Sequence, residues 1–215
     1  MKDIFKQFQS IGIVPVVKIN DSKNAVDLAK ALCKGGLPAA EITFRTDAAE
    51  ESIRQIAKNV PEVCVCAGTI LTVENAKRAV DAGAKLVISP GTNPKVVKWC
   101  VENGVTIIPG CANPSDVEVC LEFGLEVVKL FPAEVVGGVK MLKALSGPYG
   151  NLMFMPTGGI NAKNVGEYLA LKNVLACGGS WMVPEKAIDD HDFKQIEDLT
   201  REAVNSLAFA RTTLS

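Results

Sequence analysis

Eight times along this chain a short β-branched run gives way to a helical stretch, and that recurrence limits the fold more than any other feature. The runs are Ile13–Lys18, Ala39–Phe44, Val63–Ala67, Leu86–Ser89, Val105–Pro109, Glu126–Leu130, Met153–Pro156 and Val174–Cys177. Their starts lie about 20–26 residues apart, the length that a strand, a loop, a helix and a return loop require. Asn93-Pro94 and Asn113-Pro114 each put a capping side chain before a proline at the first helical position. Thr46, Asp47, Thr72 and Asn161 mark further expected helix starts. Gly35-Gly36, Gly83, Gly104 and Gly124 follow the helices, where a left-handed residue is favoured. Residues 1–10 read as a short helix ahead of the first strand. Phe193, Ile196, Leu199, Ala203 and Leu207 give a last helix its apolar stripe, from Asp192 to about Ala210.

No linker or low-complexity stretch interrupts the series. The expectation is therefore one α/β domain over residues 1–215, a parallel (β/α)8 TIM barrel with a short N-terminal helix. An open doubly wound sheet is the alternative, but no G-x-G-x-x-G follows the first strand. Hydrophobic residues make up 48% of the chain, enough for one large core. A formal charge of −1 leaves no basic surplus for nucleic acid or an anionic membrane surface. The N-terminus lacks the apolar core of a signal peptide, and no apolar run reaches the roughly 18–20 residues of a membrane span. The seven cysteines form no C-x-x-C pair, and most sit in apolar stretches, which points to the reducing cytoplasm. The single histidine, His191, is far from any cysteine, so no metal site and no cofactor are expected.

In a barrel of this kind the reacting groups project from the carboxyl ends of the strands. Lys129 lies in Glu126-Val-Val-Lys-Leu-Phe-Pro132 and shares a face with Val127 and Phe131. Apolar surroundings favour the uncharged amine, the state that attacks a ketone to give a Schiff base. The same spacing also suits a lysine paired with a carboxylate or reaching to water. In Ala39-Ala-Glu-Ile-Thr-Phe-Arg45, residues 41, 43 and 45 share one face, while Ile42 and Phe44 turn toward the covering helices. Glu41 can move protons and Arg45 can grip a carboxylate in bidentate fashion; an internal salt bridge is the structural alternative. Pro156-Thr-Gly-Gly-Ile-Asn161 and Cys177-Gly-Gly-Ser180 bring open backbone to the rim after the seventh and eighth strands, where barrels hold phosphate. A single Gly-Gly is also ordinary turn chemistry. Ala67-Gly-Thr69 and Ser89-Pro90-Gly91 add a hydroxyl and close backbone approach at the same rim. Lys18, at the exit of the first strand, is a rival nucleophile. Trp99 reads as helix packing and Trp181 as a cover for the eighth loop.

Taken together these segments resemble the 2-keto-3-deoxy-6-phosphogluconate aldolases, a family that includes the 4-hydroxy-2-oxoglutarate aldolases. The resemblance rests on Val14-Pro-Val16, Glu41-Ile-Thr-Phe-Arg-Thr46, Ala67-Gly-Thr69, Ile88-Ser-Pro-Gly91, Ile108-Pro-Gly110, Lys129-Leu-Phe-Pro-Ala-Glu134, Gly137-Gly-Val-Lys140, Pro156-Thr-Gly-Gly-Ile160 and Gly178-Gly-Ser-Trp181. It implies a metal-independent aldehyde-lyase that works through a Schiff base on Lys129, with Glu41 as acid and base. It implies further that Arg45 and Thr69 hold the substrate carboxylate and that Pro90 and Phe131 line the site. Thr157, Gly158, Gly159, Gly178, Gly179 and Ser180 would bind phosphate. The implied partner is a small phosphorylated 2-keto acid, and the implied assembly a homotrimer. The related galactonate derivative and 4-hydroxy-2-oxoglutarate stay open as substrates. A phosphate-binding isomerase or synthase without a covalent lysine, and a silent sugar-phosphate sensor, are the competing functions. Two departures stand out: Asn113-Pro-Ser-Asp116 where the family often has Thr-Pro-Ser-Glu, and Cys66 where it often has glycine. The first borders the expected mouth of the site, so a changed substrate preference is an expectation.

Overall fold

The β-branched runs become parallel strands because each is covered on both faces, the condition under which such sheets persist. The computed structural model describes residues 2–212, with side chains as far as Leu207. The strands are β1 (Ile13–Val17), β2 (Ala39–Thr43), β3 (Cys64–Gly68), β4 (Val87–Ile88), β5 (Ile107–Ile108), β6 (Gly110–Cys111), β7 (Val127–Leu130), β8 (Met153–Phe154) and β9 (Cys177–Gly179). They pair in the order β5-β4-β3-β2-β1-β9 and, in a second sheet, β6-β7-β8. The two sheets adjoin at both margins. β5 and β6 are one run of chain broken at Pro109, which has no N–H to give a ladder. Across the other margin, parallel bridges join Phe154 to Val174 and Thr157 to Gly178. The result is a curled parallel sheet with helices outside it, an α/β fold.

The helices are α1 (Asp3–Ile11), α2 (Ala25–Gly35), α3 (Ala49–Asn59), α4 (Val73–Asp81), α5 (Pro94–Glu102), α6 (Pro114–Glu122), α7 (Gly138–Ser146), α8 (Val165–Leu169), α9 (Glu185–Asp189) and α10 (Phe193–Thr212). Thr72, Asn93 and Asn113 cap as the sequence suggests, each accepting a backbone N–H from the first turn. Thr46 and Asp47 do not start a helix. The Thr46 hydroxyl donates to the Ile19 carbonyl instead, and α3 begins only at Ala49. Asn161 likewise closes a turn on the Lys163 N–H, and α8 begins at Val165.

Curling divides the apolar residues into two cores. Ile42, Val65, Val87 and Val128 face the helices, together with Leu28, Ile53, Val97 and Leu142. Val14, Cys66, Ile88, Val127 and Met155 fill the concave face, where Phe5 and Phe8 of α1 join them. α1 lies across the amino ends of the strands, and Lys2 donates to the Thr106 hydroxyl just before β5. The concave interior is thus plugged at one end, and its polar groups stand toward the other. α10 seals the outside against α2, where Gly35 has no side chain because a Cβ would meet Thr200 Cγ2 at 2.5 Å.

Candidate active site

Register alone brings the charged residues together. β1 and β3 flank β2, with Val16 and Cys66 opposite Glu41. On β7, Lys129 stands opposite Gly110. Both side chains enter the concave interior above the apolar plug, and Lys129 Nζ lies 3.4 Å from Glu41 Oε1. Lys129 is 5% exposed and Glu41 1%. An ion pair this far from water gains its energy only where hydrogen bonds satisfy both partners. Here the second carboxylate oxygen, Oε2, is buried without a protein partner. That combination belongs to a site built to engage a further polar group rather than to a bridge built for stability. The Phe131 ring lies 5.1 Å from the lysine nitrogen and supplies an apolar wall.

Space for the carboxylate comes from Gly68. A Cβ at that position would collide with the Glu41 carboxylate, because Thr43 and Gly68 are register partners two residues above the Glu41–Cys66 pair, on the same face. Next to it, Thr69 holds φ at 58°, a left-handed conformation that a β-branched residue adopts only under constraint. This strain presents the Thr69 hydroxyl to Arg45, whose Nε lies 3.4 Å away. Arg45 itself is exposed at the rim.

Elsewhere on the same rim, Gly158 and Gly159 take φ of 98° and 83°. The bridge from Thr157 to Gly178 sets this turn beside Gly178–Ser180. Gly178 is required there, since a Cβ would strike Thr157, and Gly179 carries the Trp181 ring directly against it. A cavity of about 230 Å³ at the rim is lined by Arg45 and Ser180, so these two expected ligand-binding residues share one space, with Lys18 at its wall. Pro90 approaches from β4, and its carbonyl lies so close to Gly110 that no side chain fits there.

The structure separates the two candidate nucleophiles. Lys18 is in an ion pair with Glu185 at 2.8 Å, and its side chain is 35% exposed. Only Lys129 is buried beside an acid. Trp99 packs half-buried against the outer core, as expected. Two features escaped the sequence: the requirement for Gly68, and a contact between Glu134 and Tyr168 behind the Gly158–Gly159 turn. A glycine at an inward-facing strand position two residues past Cys66 was the available signal for the first.

With this geometry in place, comparison with known proteins is decisive. The sequence model of the KDPG and KHG aldolases matches residues 4–199. The chain belongs to the KDPG/KHG aldolase family. It is 48% identical over 204 residues to a 2-dehydro-3-deoxy-phosphogluconate aldolase of Treponema pallidum, covering 95% of this chain and 97% of that protein. It is 44% identical over 192 residues to the KHG/KDPG aldolase of Escherichia coli, covering 89% and 90%. Among solved structures, the KDPG aldolase of Legionella pneumophila, with pyruvate captured as a covalent carbinolamine intermediate, superposes with a TM-score of 0.89 at 38% identity, over 93% of this chain and 97% of that one. The Zymomonas mobilis enzyme with 3-phosphoglycerate also gives 0.89, at 36% identity over 94% and 95%. The chain is a lyase, an aldolase of the Schiff-base class.

Proposed function

We propose that this aldolase cleaves 2-keto-3-deoxy-6-phosphogluconate to pyruvate and glyceraldehyde 3-phosphate through a Schiff base on Lys129. The observation that carries the reading is the buried Lys129–Glu41 contact at 3.4 Å, with the free Glu41 Oε2 beside it. The uncharged Nζ attacks the C2 ketone, and the ketone oxygen takes up a proton. Glu41 takes that proton from the attacking nitrogen, then relays one more from solvent, so that the carbinolamine loses water and becomes a protonated imine that keeps one N–H. Glu41 then accepts the proton of the C4 hydroxyl. The C3–C4 bond breaks, its electron pair moves toward the iminium, and the aldehyde leaves. Protonation of the enamine at C3 and hydrolysis release pyruvate and restore the amine. Arg45 and Thr69 hold the carboxylate, Pro90 and Phe131 shape the walls, and Thr157–Gly159 with Gly178–Ser180 hold the phosphate.

The support for phosphate is the pair of left-handed glycines set beside Gly178–Ser180, together with 3-phosphoglycerate in the Zymomonas enzyme. In the same reading, β5 and β6 count as one strand, the margin bridges close the sheet into an eight-position barrel, and residues 1–215 form one domain. A cytoplasmic homotrimer completes it. All seven cysteines are free thiols, and sedimentation reports the assembly. No described helix is long and apolar enough to cross a membrane.

Borohydride trapping with pyruvate, followed by peptide mapping, tests the central step. Label is expected on Lys129, and Lys129→Ala abolishes both label and turnover. Label on Lys18, or none, overturns the proposal. Ranking kcat/KM for the phosphogluconate derivative, its galactonate epimer and 4-hydroxy-2-oxoglutarate decides the substrate.

A further inference from the structure

The turn after β8 is held by more than its own chain. Ala133 N donates to the Thr157 carbonyl at 2.8 Å, and Glu134 N to the Gly158 carbonyl at 3.1 Å. These bonds stitch the loop that follows Lys129 to the Gly-Gly turn. The Gly159 carbonyl is gripped from the other side by the amides of Asn161 at 3.1 Å and Asn164 at 3.0 Å. In a trans peptide the N–H points opposite to its C=O. Fixing both carbonyls therefore fixes the directions of the Gly159 and Ile160 N–H groups, the donors that an anion would meet.

The side chain of Glu134 completes the support. It lies against Gly159 so closely that a Cβ there would meet Glu134 Cγ at 2.5 Å. Its Oε1 accepts the Tyr168 hydroxyl. A Cβ on Gly138 would meet that hydroxyl oxygen at 2.6 Å, so the contact is packed on its far side as well. Tyr168 is fully buried in α8. Burial first, and the Glu134 carboxylate second, push its hydroxyl well above the ordinary tyrosine range, so it stays a donor at every working pH. Neither residue touches the Lys129–Glu41 centre, and the chemistry above does not use them.

We propose that Glu134, anchored by Tyr168, is a positioning residue that holds the Gly158–Gly159 turn in its phosphate-binding form and ties that turn to the strand carrying Lys129. The inference rests on the phosphate reading given above and adds the device that sets it. Tyr168→Phe keeps the ring packing and removes only the anchor. It is expected to raise KM for 2-keto-3-deoxy-6-phosphogluconate about tenfold, a hydrogen-bond-sized loss. Its kcat, its KM for 4-hydroxy-2-oxoglutarate and its borohydride trapping with pyruvate stay within about twofold. Glu134→Ala gives the same split, and Glu134→Gln, which keeps Cγ and an acceptor for Tyr168, restores KM. Equal losses on both substrates, or unchanged KM in Tyr168→Phe, would overturn the positioning role. Inorganic phosphate as inhibitor separates the two readings. If it fails to compete in the unmodified enzyme, the phosphate reading falls and this inference with it; if it competes equally in enzyme and variants, only the inference falls.

Discussion

Glu41 can act only where its carboxylate points at Lys129, and the nearest enforcement is the missing side chain of Gly68. A methyl group there would overlap the carboxylate. Gly68→Ala is therefore expected to lower kcat by about 10²-fold or more, the range of a lost acid–base group. Overpacking would cost about 1–3 kcal/mol in stability. Borohydride trapping with pyruvate should survive in part, because the amine is still present, and Glu41→Gln should behave alike. Full turnover in folded Gly68→Ala would show that the carboxylate has room to move aside. Alternation along the strands put Lys129 and Glu41 on inward faces, but the same spacing suits a salt bridge, and it was the resemblance of the strand-end segments that singled them out. The steric requirement for Gly68 and the strained backbone of Thr69 were not legible in the sequence. Ala67-Gly-Thr69 reads equally well as a turn, and neither the steric contact with Glu41 nor the φ of 58° at Thr69 leaves a mark in residue type.

At the scale of an element, the departure at Asn113–Asp116 has a local explanation. Asn113 Oδ1 accepts from Asp116 N at 3.1 Å, while Asp116 Oδ2 accepts from Ala112 N at 2.8 Å and from the Asn113 amide at 3.1 Å. This is a reciprocal N-terminal cap on α6, the same service that a Thr-x-x-Glu box performs. Asn113→Ala should cost about 1 kcal/mol of stability, read as a lower urea midpoint, with KM for the aldol substrate within about twofold. A larger change in KM would restore the expectation that this loop sets substrate preference. Caps placed directly before a proline, at Asn93 and Asn113, were readable because Pro fixes the first helical residue. Thr46 was not, since its hydroxyl is taken by a carbonyl 27 residues earlier in the chain. A side chain that can cap or tie a loop chooses by tertiary contact, which local sequence does not record. The strand at residues 105–109 slid for a similar reason. Pairing continues past Pro109 to Cys111 because β7 offers partners there.

For the whole molecule, alternation in the two segments Ala39–Arg45 and Glu126–Pro132 foretold which of their residues face inward. It did not foretell that α1 would supply Phe5 and Phe8 to the concave core, because amphipathic spacing reveals an apolar face and not its destination. The two cores also bury thiols. Cys100, between α5 and the sheet, and Cys177, on β9, are fully covered. Burial pushes the Cys100 thiol up to about 11 and raises Cys177 as well. In the unfolded chain these thiols titrate near the ordinary value of about 8.5. Since the folded value is the higher one, their contribution is constant below the unfolded value and declines as pH rises through the folded one. For Cys100 the decline reaches about 2 kcal/mol by pH 10. Urea midpoints in the presence of reductant should therefore fall between pH 7.5 and pH 10. Cys100→Ala should start from a lower midpoint, for the cavity it leaves, and fall less steeply. An unchanged slope in that variant would mean that the thiol is solvated in the folded protein, and so that the helix layer over the sheet is looser than the packing around Cys100 requires.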